Sequence, residues 1–335
     1  MTQAIRPRVA INGFGRIGRT ILRLLLKRDD FELVLINEIE TLETCAYLFH
    51  YDSIYGPWPG TVETRDGALV VDGRAIPFHG VEDLSALDLG GVDVVLECTG
   101  MAGKRAVAER GLIAGAQSVL VSGPSSEADR TIVLGANEGE LAGQRIVSNA
   151  SCTTNALAPL ARLLDDAFGI ESGHITTVHC YTGSQPTVDK PRGPLERSRA
   201  AALSMVPTTT SADRLLGRIL PALKGRIAAH AVRVPTASVS AVDLIIQTRE
   251  PASVEAANDL LREAARQSPV FGWTTEPLVS TDLRARPESV IMCGRETSLA
   301  AGGLLRVFGW YDNEWGFSCR MLDVARLMAD LRHEP

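Results

Sequence analysis

Apolar and polar positions follow two different rhythms in the two halves of this chain. Residues 8–38, RVAINGFGRIGRTILRLLLKRDDFELVLINE, read as a short β-rich run, a glycine cluster that opens an amphipathic helix, and a second apolar run ending in an acid. Further apolar runs at DVVLECTG (93–100), QSVLVSGPS (117–125), TIVLGAN (131–137) and RIVSNAS (145–151) surround a helix-like stretch from Lys104 to Gly111. Repetition of strand, helix and strand at this spacing predicts an α/β fold with a doubly wound parallel sheet. After residue 152 the rhythm changes. A helical stretch, TTNALAPLARLLDDAFG, leads into long β-rich runs, GHITTVHCYT, AHAVRVPTASVSAVDLIIQT, ESVIMCG and GLLRVFGWYD. They are too long and too close together for simple strand–helix–strand units, so an α+β domain with a mixed or antiparallel sheet is expected. Phe317, Met321, Val324, Met328 and Leu331 recur at helical spacing and predict an apolar docking stripe on a terminal helix.

The glycines at 13, 15 and 18 fit G-x-G-x-x-G, a pattern that means little alone but here follows a strand and opens a helix. Each glycine has a task. Gly13 permits the tight turn, Gly15 lets the backbone approach a pyrophosphate, and Gly18 allows close packing of helix on strand, so that the pyrophosphate sits at the positive helix end. Glu38 stands 20 residues beyond Gly18, at the end of the next strand, where it can accept hydrogen bonds from both adenosine ribose hydroxyls. A 2′-phosphate there would meet a like charge, a repulsion on the order of 4 kcal/mol at ~4 Å and an effective dielectric near 20, so NAD is expected over NADP. Thr99, Gly100 and Ser122 directly follow strand runs and are expected beside the cofactor, because ligands bind where such strands end.

Composition narrows the class. At 335 residues the chain exceeds what one core usually supports, which suggests two domains. A net charge of −6 gives no long-range attraction for nucleic acid or anionic membrane. The N-terminus lacks a charged start followed by a sustained apolar run, and no segment reaches 18 uninterrupted apolar residues, so a soluble cytoplasmic protein is expected. Six cysteines lie far apart without a C-x-x-C pair, which signals neither a zinc site nor a disulfide framework, and no metal is expected.

Cys152 is the exception among them. It sits in SNASCTTN (148–155), among hydrogen-bonding residues with poor helix propensity, whereas inert cysteines are usually packed as small hydrophobes. A thiol needs a base or a lowered pKa to react. His179, in the β-rich run TTVHCYT, is the candidate, provided that the fold makes Cys152 its neighbour. The Pro-, Arg-, Ser- and Thr-rich segment 181–214 is long enough to be functional rather than a plain connection.

Five motifs, INGFGRIGR (11–19), SNASCTTN (148–155), TTVHCYTGSQPTVD (176–189), RVPTASVSAVDL (233–244) and WYDNEWGF (310–317), occur in an order and over a span that resembles the phosphorylating glyceraldehyde-3-phosphate dehydrogenase family. The resemblance implies an NAD-binding Rossmann domain at 1–151, a catalytic domain at 152–315, and a terminal helix at 316–335 docking back on the first domain. It implies that Gly13, Gly15, Arg16, Ile17 and Gly18 form the cofactor turn and that Asn313 holds the nicotinamide carboxamide. Cys152 would attack a phosphorylated aldehyde, pass through a hemithioacetal to a thioester, and release an acyl phosphate to inorganic phosphate, with His179 as base. Thr182 and Arg233 resemble the cradle for the substrate's own phosphate. Ser151, Thr153, Arg197, Thr210 and Ser211 resemble the site for inorganic phosphate, with Arg199 an alternative to Arg197. A homotetramer is implied, with the 181–203 loop near a subunit interface.

Departures from the family pattern cluster near the ligands. Glu38 stands where Asp is usual, as in the related erythrose-4-phosphate dehydrogenases, and Ser184, Ser211 and Arg214 stand where Asp, Gly and Lys are usual. Against a tetrose substrate, Thr182 and the run PTTT (207–210) keep the triose-phosphate pattern. Ala156 replaces the second cysteine that many members carry, so no disulfide can form inside this loop. A catalytically silent NAD-binding regulator is the alternative from another class.

Overall fold

The computed structural model describes residues 6–333 and divides the chain into two compact units. The first comprises the described residues up to 132, then 138–151, and those from 318 on; the second comprises 133–137 and 152–317.

The first unit is built on a sheet with strand order β3-β4-β5-β2-β1-β6-β7-β9-β8. In chain order its elements are β1 (Arg8–Asn12), α1 (Arg16–Leu25), β2 (Glu32–Asn37), α2 (Leu42–His50), β3 (Val62–Arg65), β4 (Ala68–Val71), β5 (Arg74–His79), β6 (Val94–Glu97), α3 (Arg105–Ile113), β7 (Ser118–Val121), β8 (Arg130–Thr131) and β9 (Ile146–Ser148). Strands β1, β2, β6, β7, β8 and β9 pair in parallel, and the run from β6 to β7 is buried on both faces, as central parallel strands must be when helices cover the sheet. The chain leaves β1 toward β2 on one side and returns to β6 on the other, so the strand order reverses between β1 and β6. The ligand crevice of such a sheet therefore opens at the ends of these two strands, beside Gly13 and Thr99.

Two parts of this unit differ from the sequence expectation. Strands β3 to β5 form an antiparallel extension that the strand–helix rhythm does not announce, because β3 and β5 carry exposed, charged positions such as Glu63, Arg65 and Arg74, and the buried apolar run of β4 is only four residues long. The run TIVLGAN contributes only Thr131 to a strand; residues 133–137 turn and join the second unit.

The second unit contains α4 (Cys152–Phe168), β10 (Ile170–Cys180), β11 (Val206–Thr208), α5 (Ala212–Ile219), β12 (Ile227–Val234), β13 (Ser240–Thr248), α6 (Val254–Gln267), β14 (Phe271–Thr274), β15 (Val290–Cys293), β16 (Ser298–Leu299) and β17 (Leu304–Tyr311). The main sheet runs β11-β12-β10-β13-β17-β15-β14, with β16 paired to β17. It is mixed: β10 pairs with β12 in parallel but with β13 antiparallel, and β13 continues antiparallel to β17. Along β10 the alternate residues Ile175, Thr177 and His179 are buried while His174 and Val178 are exposed, the period-two pattern of a strand with one covered face. Helix α4 packs on this sheet, against β10 and β13.

Side chains cap some of the helix starts. Ser253 accepts from the Ala256 N–H at the start of α6, and Asp312 accepts from the N–H groups of Glu314 and Trp315 as the chain enters α7 (Trp315–His333). Of the stripe expected on α7, Phe317, Met321, Val324 and Met328 are buried, whereas Leu331 is exposed near the helix end.

Candidate active site

The glycine turn of the first unit is made from backbone. Gly13 has φ +93°, its N–H donates to the Asn37 carbonyl at 2.8 Å, and a Cβ on it would lie 2.5 Å from the Thr99 nitrogen. A Cβ on Gly18 would collide with the Gly13 carbonyl. Gly15 differs from both: it is exposed, it forms the N-cap of α1, and no atom lies within 4 Å of where its Cβ would be. Gly13 and Gly18 are thus needed by the fold itself, while the freedom at Gly15 faces open space at a positive helix end with no acid in the first turn. Arg16 commits its guanidinium to Asp52, at 2.5 Å, and to the Tyr55 ring, and with half-buried Ile17 it supplies the first backbone N–H groups of α1.

Glu38 is held in place by the turn it serves. Its carboxylate accepts from the Phe14 N–H at 2.7 Å on one oxygen and from the Ile39 N–H at 2.8 Å on the other, which leaves lone pairs on a fixed, half-buried acid for ribose hydroxyls. Thr99 and Gly100 are exposed at the end of β6. The Thr99 hydroxyl is already engaged, donating to Glu97 and accepting from the Met101 N–H. Ser122 follows β7 and donates its N–H to the Glu97 carbonyl. These residues fit a dinucleotide: an open cradle at a helix N-terminus and a preset acid one strand away.

Sequence reasoning missed Glu97. Its carboxyl is buried, receives the Asn12 amide at 2.5 Å and the Thr99 N–H at 3.0 Å, and burial pushes its pKa up against those hydrogen bonds. Asn37 in turn donates to Asn12, so a chain of buried polar groups ties the ends of β1, β2 and β6 together under the turn. An acid at the end of an apolar run carries no signal of that role.

In the second unit Cys152 is the first residue of α4, one residue after Ser151 and two after Ala150, which is fully buried with φ +57°. A left-handed alanine stores on the order of 1 kcal/mol of strain, so the backbone is bent sharply where the helix starts. Cys152 Sγ lies 3.5 Å from His179 Nε2. The thiol and the imidazole are therefore neighbours, brought together by a helix N-terminus standing over the end of β10.

His179 owes its surroundings to strand register. Because β10 and β12 run in parallel with His179 opposite Arg233, both side chains emerge on one face. Arg233 Nη1 lies 2.7 Å from His179 Nδ1 and donates to the Cys180 carbonyl at 2.9 Å, and the same carbonyl is 2.7 Å from Nδ1. Burial, then the Arg233 charge, lower the His179 pKa to about 3. Burial also raises the Cys152 pKa, while Arg233 and a hydrogen bond from the Thr153 N–H pull it down.

Two further neighbours were not read from the sequence as site residues. Tyr311, fully buried, places its hydroxyl 2.9 Å from Thr153 Oγ1 and 2.8 Å from Thr177 Oγ1. Cys180, whose pKa burial pushes up to about 12, stays a thiol and donates to Asn313 Oδ1 at 3.0 Å, which turns the amide N–H₂ of Asn313 away from it. Both belong to quoted motifs, but nothing in the pattern distinguishes them from core residues.

The anion-binding candidates are gathered less tightly. Thr182 Oγ1 bonds Ser184, and among the described residues it makes no hydrogen bond to Arg233. Arg197 reaches Thr208 Oγ1 at 2.6 Å and the Thr209 carbonyl, next to Thr210, whereas Arg199 pairs with Asp189 at 2.8 Å. Thr210 accepts from the Ala212 N–H, and Ser211, at the N-cap of α5, makes no side-chain capping bond. Of the two arginines, Arg197 is the one brought to the threonine run.

Comparison with known proteins agrees with this arrangement. Residues 7–105 match the family model for the glyceraldehyde 3-phosphate dehydrogenase NAD binding domain, and residues 151–313 match that for the C-terminal domain. Among curated relatives, the glyceraldehyde-3-phosphate dehydrogenase of Cereibacter sphaeroides is 46% identical over 330 residues, covering 97% of this chain and 99% of that protein. Those of Xanthobacter flavus and Pseudomonas aeruginosa are 45% and 46% identical with the same coverage of 97% and 99%. With a glycine cradle and preset acid in one unit, a thiol–imidazole pair in the other, and relatives of this similarity along nearly its whole length, the chain belongs to the glyceraldehyde-3-phosphate dehydrogenase family.

Proposed function

We propose that this protein oxidises D-glyceraldehyde 3-phosphate with NAD and inorganic phosphate to 1,3-bisphosphoglycerate. The observation that carries the reading is Cys152 Sγ at 3.5 Å from His179 Nε2, with Arg233 beside the ring. NAD, when bound, supplies a nicotinamide that accepts hydride. Gly15, Arg16 and Ile17 offer backbone N–H groups to its pyrophosphate, Glu38 takes the ribose hydroxyls, Thr99, Gly100 and Ser122 border it, and Asn313 offers its amide N–H₂ to the carboxamide.

Cys152 attacks the aldehyde carbon as its proton passes to His179 Nε2 and from there to the carbonyl oxygen, giving a hemithioacetal on sulfur. His179 then takes the hydroxyl proton as the carbon is oxidised to a thioester. Inorganic phosphate attacks the thioester carbon, the carbon–sulfur bond breaks, and the acyl phosphate leaves with Cys152 restored. A positioned base of this kind is worth about 10²- to 10⁴-fold. Arg233 and Thr182 hold the ester phosphate of the substrate, and Arg197, Ser151, Thr153, Thr210 and Ser211 hold the attacking phosphate, since guanidinium forks and hydroxyls suit phosphate oxygens.

The protein works as a cytoplasmic homotetramer in this reading. Support for self-association comes from Val188, Leu195 and Leu203 in the 181–203 loop and nearby Met205, four large apolar side chains that the single chain leaves exposed. Among the described residues no helix is long and apolar enough to cross a membrane, and no cluster of three or more His, Cys, Asp or Glu could hold a metal ion.

The test is NADH formation by the purified protein with glyceraldehyde 3-phosphate and, separately, erythrose 4-phosphate, each with and without inorganic phosphate. Fast turnover of the triose that requires phosphate is expected. Preference for the tetrose without a phosphate requirement would overturn the reading and make Glu38, Ser184 and Ser211 marks of a changed substrate.

A further inference from the structure

Around the Cys180 sulfur each polar group has its direction set by a neighbour. Cys180 ends β10, Ser240 begins β13, and Asn313 lies just beyond β17. The Cys180 N–H donates to Ser240 Oγ at 3.1 Å, and the Ser240 hydroxyl in turn hydrogen-bonds the sulfur with its one proton. Accepting on that side, the sulfur has its own proton to give, and Asn313 Oδ1 lies 3.0 Å away. Burial pushes the Cys180 pKa up to about 12, so the proton stays on sulfur and the S–H remains a donor. A reversed Asn313 amide would set its N–H₂ against the S–H, donor against donor, with sulfur a poor acceptor in place of the amide oxygen.

The backbone under this amide is held as well. Asp312, buried immediately before Asn313, accepts from the N–H groups of Glu314 and Trp315 and from the Ala285 N–H. Asn313 is itself buried, its oxygen is taken by the thiol, and its N–H₂ makes no hydrogen bond among the described residues. One side of the amide is therefore committed and the other is a pair of donors.

We propose that Cys180 is a positioning residue for the cofactor, its S–H locking the Asn313 amide so that the N–H₂ faces the nicotinamide and the site selects for an acceptor group on that ring. The proposal rests on the reading of Asn313 as the contact to the carboxamide. A buried donor left without a partner is penalised, so the group at that ring position has to bring a lone pair. The carbonyl of a carboxamide does so, a ketone does so equally, and an amine on the ring presents mainly N–H. Without the thiol, the amide can turn over and accept from such a donor, and the selection disappears. Cys180 touches no reacting atom and acts only through the Asn313 side chain.

Calorimetry with dinucleotides altered only at that ring position tests this. The acetylpyridine analogue of NAD has a carbonyl without N–H, the aminopyridine analogue has N–H without a carbonyl, and ADP-ribose lacks the ring. Wild-type protein is expected to bind the acetyl analogue about tenfold more tightly than the amino analogue. In Cys180→Ala that ratio should fall about fivefold, whereas Cys180→Ser, which still donates, should keep it. Affinity for ADP-ribose should be the same in all three proteins, and Asn313→Ala supplies the ratio of a site that does not read the ring.

A wild-type ratio in Cys180→Ala, with Asn313→Ala lowering it, would overturn the proposal and leave Asn313 as the carboxamide contact. If Asn313→Ala also leaves the ratio unchanged, the reading of Asn313 fails and the proposal fails with it. Loss of ADP-ribose affinity in step with the analogues would reduce Cys180 to a support of the fold and overturn its positioning role. Should Cys180→Ala not fold, the S–H stretching band of wild-type protein decides, identified in infrared spectra by its absence in Cys180→Ser. A hydrogen-bonded thiol absorbs at lower frequency than an unbonded one, and a band at the unbonded position would overturn the proposal. Failure of the functional reading is separate, because it shows as absent phosphate-dependent NADH formation.

Discussion

The two units solve the problem of holding a ligand in opposite ways. In the first, the cradle is backbone: Gly13, Gly15 and Gly18 occupy a turn where two of the three are demanded by contacts within the fold and the third faces open space. In the second, the site is made of side chains brought from four separate elements, Cys152 from α4, His179 from β10, Arg233 from β12 and Tyr311 from β17. A backbone cradle tolerates almost no change of spacing but is indifferent to most side chains; a side-chain site has the reverse sensitivity. That contrast orders the effects expected of substitution.

The largest effect belongs to the sulfur. Cys152→Ser should reduce NADH formation below detection, because a serine hydroxyl is far less acidic than a thiol and His179 is a weak base, while NAD affinity measured by calorimetry stays unchanged. Residual turnover near the wild-type rate would remove the thiol from the reaction. His179→Gln should follow, with a loss of about 10²- to 10⁴-fold in kcat. The same variant tests the ring's burial. Since folding lowers the His179 pKa to about 3 while an unfolded histidine titrates near ~6.5, the unfolded chain binds an extra proton between those values, and stability falls as pH drops through that window. Urea unfolding across about pH 4 to 7 should show a shallower acid-side loss in His179→Gln than in wild type, and equal slopes would mean that the ring is protonated in the folded protein.

How far each region could be read from sequence follows from the same contrast. The glycine turn is a local pattern, so G-x-G-x-x-G, its flanking strand and helix, and the acid at 38 predict the geometry that the backbone adopts. The parallel core strands were legible because doubly buried strands are continuous apolar runs. Strands β3 and β5 were not, since exposed residues such as Glu63, Thr64, Arg65 and Arg74 give no face to detect, and the four apolar residues of β4 are too short a run to stand out. Nor was Glu97, whose role depends on Asn12 and Thr99 lying beside it in the folded sheet. In the second unit the residue types at 152 and 179 suggested chemistry, but the adjacency of His179 and Arg233 is set by the parallel pairing of β10 with β12 across 53 intervening positions, and register of that kind leaves no trace in spacing.

Smaller effects separate what the cradle does for the fold from what it does for the cofactor. Glu38→Gln keeps an acceptor for the Phe14 N–H but removes the charge, so the preference for NAD over NADP should shrink by about 10²-fold, part of the ~4 kcal/mol unscreened repulsion; an unchanged ratio of kcat/KM would clear Glu38 of cofactor choice. Gly13→Ala forces a Cβ into the Thr99 backbone at a φ that alanine resists and should destabilise the protein by about 1–3 kcal/mol in thermal unfolding. Gly15→Ala should leave stability within about 0.5 kcal/mol yet weaken NAD binding. If Gly15→Ala instead lowers stability as much as Gly13→Ala, the distinction between the two glycines disappears.

The finest test lies at Tyr311. The Ala241 carbonyl can only accept, so Thr177 spends its proton there, Tyr311 must donate to Thr177, and Thr153 must donate to Tyr311. The hydroxyl of Thr153 has one proton, and this directed chain draws it away from the Cys152 sulfur that it could otherwise stabilise. Tyr311→Phe breaks the chain and releases that proton. Stability should drop by about 1 kcal/mol for the lost hydrogen bonds, while Cys152 should be alkylated by iodoacetamide roughly fivefold faster at neutral pH, the gain of one hydrogen bond to the thiolate. Slower alkylation would show that the Thr153 proton already points at sulfur and that the tyrosine, not the carbonyl, ends the chain.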